Sequence, residues 1–360
     1  MNSRIVKLVL ALMLVLILVP AVSAQDDLAC MGLSADDCAI LQAASANSAN
    51  MTSFIVNFKF NMALTGLAML APGAGDISIS ADGAGPIAFD EAMAMSDNPY
   101  GALTMAMDAN GSFSDGTSTD GGSASFVIVD GNFYLQDPTS GQWIGFNLQE
   151  VVESGILEQN GIPFSPEMLM GGGGAPSAAD ATAALSMLGL SESDVAGLSS
   201  IPGFITNARL ADESMMEQTM YPFTTTLDFA PLFASAEFDK LMNSILQLAA
   251  ADDPSVAQFG PMVTMLLQNS QLTISTGQWI GANDMFVHRF TFDINAVIDL
   301  SALAGAAGGA SGGNAPSLPP INFDVHLEMD FNEINVPVNV VAPEGATIVP
   351  ASSLMSDLGN

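Results

Sequence analysis

Ile321-Asn322-Phe323-Asp324-Val325-His326-Leu327-Glu328-Met329-Asp330-Phe331-Asn332 alternates apolar and polar side chains without a break. Successive side chains of a strand point to opposite faces, so this period puts Ile321, Phe323, Val325, Leu327, Met329 and Phe331 on a dry face and leaves the other wet. An antiparallel sheet with one solvated face requires such a pattern. The same period runs through Phe54, Val56, Phe58, Phe60, Met62 and Leu64, opposed by Ile55, Asn57, Lys59, Asn61 and Ala63. It returns in Phe286, His288, Phe290, Phe292 and Ile294, and in Phe223, Thr225, Leu227 and Phe229 against Thr224, Thr226 and Asp228.

Shorter strands are expected at 77–80, 102–107, 123–129 and Asn132–Gln136, divided by Asp-Gly, Asn-Gly and Gly-Gly pairs that read as turns. Asp130-Gly131 is the strongest of these hairpin signals. Asp108-Ala109-Asn110-Gly111 also reads as a tight turn, since its glycine comes too early for a calcium loop and no Glu closes the motif. Val336, Val338 and Val340 predict a final short strand, and the Gly/Ala/Pro-rich stretch 304–320 predicts a loop. Between the strand-rich parts, 178–188, 191–198, 236–248 and 255–267 read as helices. Phe238, Leu241, Met242 and Ile245 form an apolar stripe that needs a surface to lie on. Gly141-Gln142-Trp143-Ile144-Gly145 recurs as Gly277-Gln278-Trp279-Ile280-Gly281, which predicts similar local structure with a Trp at a sheet edge.

The first 24 residues have the order of a secretory signal: Arg4 and Lys7, an apolar run over 8–19, Pro20, and Val22-Ser23-Ala24 before a polar start. The run is short of the roughly 18 to 20 residues that span a bilayer. A chain cleaved after Ala24 keeps all 38 acidic residues and four of the six basic ones, a net charge of −34. Clustered Lys and Arg give affinity for phosphate, so this balance excludes nucleic acid as a partner and disfavours anionic membrane surfaces. Cys30 and Cys38 are the two cysteines of the chain, and an exported pair so placed is expected to form a disulfide. Ser34-Ala35-Asp36-Asp37 reads as the cap of a helix reaching about Ala44, which that disulfide would staple.

Catalytic chemistry is not expected. Gly309-Ala310-Ser311-Gly312-Gly313 matches a hydrolase nucleophile pattern but sits in low-complexity sequence, without the strand before it and helix after it that the pattern requires. His288 falls on an apolar face and reads as a satisfied core or cavity residue; His326 falls on the wet face. No His/Cys spacing suits a metal, and no acid, base and nucleophile form a coherent set. Neither an enzyme nor a cofactor is expected.

Val129-Asp130-Gly131-Asn132-Phe133-Tyr134-Leu135, then Gly141-Gln142-Trp143-Ile144, resembles the LolA/LppX-LprG-like lipoprotein carrier superfamily. So do His288-Arg289-Phe290 and the run from Met329-Asp330-Phe331-Asn332 to Val336-Pro337-Val338-Asn339-Val340-Val341-Ala342-Pro343. The resemblance spans roughly 52–348. It implies an α+β fold: an antiparallel sheet curved into a half-barrel, with helices packed on its concave face over an apolar cavity. It also implies an exported, periplasmic or extracellular, non-catalytic carrier of lipid-like molecules, with transient membrane or carrier-protein contact. The expected organisation is a signal at 1–24, a disulfide-stapled helix at 25–47, the half-barrel domain at 48–348 and a tail at 349–360. The residues expected to line the cavity are Val56, Phe58, Phe60, Phe223, Leu227, Phe238, Met242, Ile245, Phe290 and Phe292. The competing expectation is a cell-surface structural or adhesion domain with no small ligand, which a tightly filled interior would favour.

Overall fold

A computed structural model describes residues 30–69, 75–94, 99–154, 201–236, 238–239, 264–301 and 319–350. The four long alternating segments are strands of one sheet: β1 (Ser53–Thr65), β9 (Gln218–Asp228), β11 (Val287–Ile298) and β12 (Ile321–Asn332). Between β1 and β9 in the chain come β2 (Ile77–Phe89), β3 (Leu103–Ser114), β4 (Thr119–Val129), β5 (Asn132–Gln136), β6 (Trp143–Asn147), β7 (Ile205–Arg209) and β8 (Glu213–Met215). The set is completed by β10 (Gln271–Gly281) and β13 (Thr347–Ile348). Their order is β13-β6-β5-β4-β3-β2-β1-β12-β11-β10-β9-β7, with β8 on β9. Two meanders thus join where β1 meets β12, in a sheet antiparallel except for the β13–β6 pair. β13 and β7 end the order without pairing to each other, so the curved sheet stays open, as a half-barrel does.

Register fixes the faces. Phe58 stands opposite Met329 on one side and Gly83 on the other, so the dry faces of β12, β1 and β2 are continuous. Helices α1 (Ala35–Ser48), α2 (Leu148–Glu153) and α3 (Phe229–Phe233) all pack on this apolar face. Ser34 caps α1 by accepting from the Asp37 amide, and Cys30 is joined to Cys38 with Cα atoms 5.1 Å apart. The helix runs four residues beyond the expected Ala44, which is itself buried against the sheet.

Several turn expectations fail for one reason. Asp82-Gly83, Asn110-Gly111 and Gly121-Gly122 lie inside strands, because β2, β3 and β4 are long enough to follow β1 along the sheet. A Cβ at Gly83 would come within 2.6 Å of the Phe58 ring, so that glycine makes room for a core side chain rather than a bend. The real turn between β3 and β4 is organised by Asp115, whose carboxylate accepts from the amides and hydroxyls of Thr117 and Ser118. Asp130-Gly131 does turn, with both residues at positive φ.

The expected strand through Val336, Val338 and Val340 is absent. Asn335 turns the chain at φ 59°, Pro337 has no N–H to give a ladder, and the segment crosses the wet side of the sheet instead. There Val340 and Ala346 cover Val127, Val129, Tyr134 and Trp143. The two Trp pentapeptides also differ from expectation: Trp143 begins β6 beside the β13 edge, whereas Trp279 is on β10, two strands inside the β7 edge. The expected helices at 178–188 and 191–198, most of those at 236–248 and 255–267, and the loop at 304–320 lie largely outside the described residues.

Candidate functional site

The apolar face changes character along its strands. At one end, Val56 and Phe58 of β1, Ile87 of β2, Met105 and Met107 of β3, Phe126 and Ile128 of β4 and Met329 of β12 form one buried cluster. Val56 is 1% exposed and Phe58 2%, the density of a filled core. At the other end the same strands present Met62 and Leu64, Ile77 and Ile79, Phe113, and Phe323 and Val325, all half-buried. Ile294 of β11 and Leu227 of β9 extend this band sideways. These side chains are less completely buried than those of the filled end, although Ile321, on the same face, is buried at 7% exposure.

The expected lining residues distribute across both ends. Val56, Phe58 and Phe290 belong to the filled cluster, with Phe60 and Phe292 half-buried at its margin. Phe223 is buried with Ile280 under α1, against Ala44, Ile40 and Leu41. Leu227 is half-buried in the open band, and Phe238 is buried with Phe204, Leu232 and Phe233. Met242 and Ile245 lie outside the described residues. Val56 and Phe58 at the filled end therefore hold the sheet together, and the open band is carried by residues further along the same strands, Met62 and Leu64 of β1 among them.

Polar groups are sorted by face. Arg289 donates to Asp330, with Nη2 2.9 Å from Oδ2, and Lys59 reaches Glu328 at 3.1 Å on the wet face. His326 meets Asp293 there at 2.7 Å. Two shallow hollows of about 360 and 370 Å³ mark this wet face; Asn61, Ser78, Asp293 and His326 line the first, Asn57, Asp82, Asp108 and Glu328 the second. His288 is buried at 7% exposure, with Nε2 2.9 Å from Asp284 Oδ2 and Nδ1 3.2 Å from the Phe331 carbonyl, as a satisfied core histidine should be. Among the described residues no group of three or more His, Cys, Asp or Glu could hold a metal ion, and no helix is long and apolar enough to cross a membrane.

One base stands on the apolar side. Arg209 of β7 is opposite Phe223 in register and so shares its face. Its guanidinium lies 4.5 Å over the Tyr221 ring, donates from Nη1 to Asp37 of α1 at 2.9 Å, and from Nη2 to Asp212 at 2.6 Å. The Ser34 hydroxyl, and then Arg209, hold the Asp37 carboxyl below its ordinary 3.8, while Asp37 and Asp212 raise the guanidinium further. Asn207, also on this face, donates to the Met31 carbonyl, and Asn47 near the far end of α1 donates to the Asp284 carbonyl at 2.9 Å. Sequence reasoning missed Arg209 and Asp37 as a pair, because nothing local says that β7 lies beneath α1.

No family model and no curated protein matches this chain. Solved structures similar to it include LprF from Mycobacterium bovis, at 12% identity and a TM-score of 0.32, covering 87% of this chain and 99% of that one. The lipoprotein LppX from Mycobacterium tuberculosis is similar at 11% identity and a TM-score of 0.28, covering 84% and 97%. At TM-scores this low, the fold stands on the strand register alone.

Proposed function

We propose that this chain is an exported, non-catalytic binding protein that carries or senses lipid-like molecules on the apolar face between its sheet and its helices. The observation that supports this reading is the open band: Met62, Leu64, Ile79, Phe323 and Val325 are half-buried on the face whose other end is filled. Each ligand methylene buried there contributes about 0.8 kcal/mol, so affinity rises with chain length. Methionine adds adaptability, since its unbranched thioether fits apolar ligands of varied shape. Export follows from the signal read in residues 1–24, and the high acidity keeps a chain that is 49% hydrophobic soluble.

A surface scaffold without ligand is the competing reading, and the filled cluster around Phe58 favours it. Native mass spectrometry of gently purified protein, with lipid extraction of the same sample, separates the two. The carrier reading expects adducts that extract as long-chain lipids and a saturable uptake of fluorescent fatty acids. A clean unliganded mass with no saturable uptake leaves the scaffold.

A further inference from the structure

We infer that His288 and Asp284 share a proton that sets the turn between β10 and β11, and with it the seat of the C-terminal end of α1. The inference stands apart from the carrier reading and uses groups that reading leaves idle. Among the described residues, Gln218 Oε1 is the one buried side-chain oxygen or nitrogen without a hydrogen-bond partner. The Gln218 amide nitrogen lies 2.9 Å from His288 Nε2, and the same ring nitrogen lies 2.9 Å from Asp284 Oδ2. An orphaned buried acceptor is costly enough to need a physical reason.

The reason is the proton count. His288 Nδ1 lies 3.2 Å from the Phe331 carbonyl, so each ring nitrogen faces an oxygen that accepts. Neutral imidazole has one N–H and one lone pair, and either tautomer sets that lone pair against an oxygen. One more proton removes the conflict: the ring then donates from Nδ1 to Phe331 and from Nε2 to Asp284. The Asp284 side chain is 37% exposed and its Oδ1 accepts from the Phe286 amide at 3.2 Å, so the carboxylate stays charged and the proton rests on the ring. With the ring charged, the Gln218 amide gains by turning end for end. Its oxygen accepts from Nε2, and its nitrogen takes the orphan's place against Asp284 Oδ1, since both oxygens crowd the point where a Cβ of Gly281 would stand. When the proton leaves, the amide turns back to donate to Nε2, and the orphaned oxygen returns.

The charges around the ring are few. Asp284 is the one ion-pair partner of His288 among the described residues. β9 brings the neutral Gln218 with the exposed Glu217 beside it, β12 brings the Phe331 carbonyl with the exposed Glu333 beyond, and the neighbouring Arg289 is held by Asp330. α1 brings the neutral Asn47, while Asp36 and Asp37 lie in its first turn, at the other end.

The turn passes the proton's state to the helix. Asn47 donates to the Asp284 carbonyl at 2.9 Å and lies 3.4 Å from that of Met285. Met285, at φ 56°, belongs to the cluster that holds Ile40, Leu41 and Ala44 of α1. A carboxylate left facing a lone pair swings away and draws with it the carbonyl that Asn47 holds.

The test uses the full chain with isotope-labelled histidine and His326→Gln, so that the spectrum shows one ring. Proton–nitrogen NMR spectra report which ring nitrogens hold a proton, as pH is raised from about 5 through the range in which histidines change charge. Hydrogen exchange at 44–48 and 281–286 is followed in the same samples, relative to β1. Protons on both ring nitrogens are expected at the low end. Protection at both segments is expected to fall about tenfold where the second proton leaves, the size of a lost hydrogen bond to a charged group. His288→Gln is expected to abolish this step. Asp284→Asn, a conservative change at a partly exposed turn, keeps the test valid if that variant does not fold. Its amide gives a neutral ring a donor, so the step is expected to vanish with protection retained. A ring with one proton at every pH overturns the inference, as does proton loss without a change in protection or a step that persists in Asp284→Asn.

Discussion

The filled and open ends of the apolar face are built from the same strands, yet they differ in what stands opposite each large side chain. At the filled end Phe58 lies between Gly83 and Met329, and across the sheet Met105 and Met107 meet Ile128 and Phe126. Gly83 makes room for the Phe58 ring among these large side chains, and helix α2 adds Leu148 above them. At the open end Phe113 faces Asp120 and Gly111 faces Gly122, so β4 supplies little to bury. Leu64, Ile77 and Phe323 then stand in a row with no small residue among them, half-buried. Apolar character is thus shared by both ends; complementarity belongs to one. Burial needs a partner surface as well as an apolar side chain.

The largest effect is expected from Phe58→Ala. Removing a fully buried phenylalanine leaves a cavity and should cost about 3–5 kcal/mol in urea unfolding. If the cost equals that of Met62→Ala, the two ends do not differ as described. Next comes Gly83→Ala, whose added methyl meets both the Phe58 ring and the Asp108 carbonyl at 2.6 Å; overpacking of this kind costs about 1–3 kcal/mol. The smallest effect is on pH. Asp37 has its carboxyl pKa lowered in the fold, so its contribution is present above its ordinary 3.8 and disappears as pH falls through the lowered value. Hydrogen exchange in α1 should therefore quicken below pH 3.8 before exchange in β1 or β12 changes; simultaneous loss would show that the Asp37 contact does not act on α1 locally.

The faces of β1, β9, β11 and β12 were legible because alternation is a local signal, and Phe60 and Phe292 were reached that way. Asp82-Gly83 and Asn110-Gly111 misled because a glycine that bends the chain and one that makes room for a ring look alike in one dimension. Leu227 and Ile79 were found in their strands, while Phe113 lies beyond the end that Asn110-Gly111 suggested.

By itself, then, the sequence determined which side of each long strand is wet, and placed the Cys30–Cys38 pair beside the helix it staples, since a period of two and a short spacing need only neighbouring residues. Only the tertiary structure decided that β1 lies beside β12, that Gly83 faces Phe58, and that Arg209 meets Asp37. Those are pairings between distant parts of the chain. They are selected by the joint burial of whole faces, a quantity no local window of residues contains.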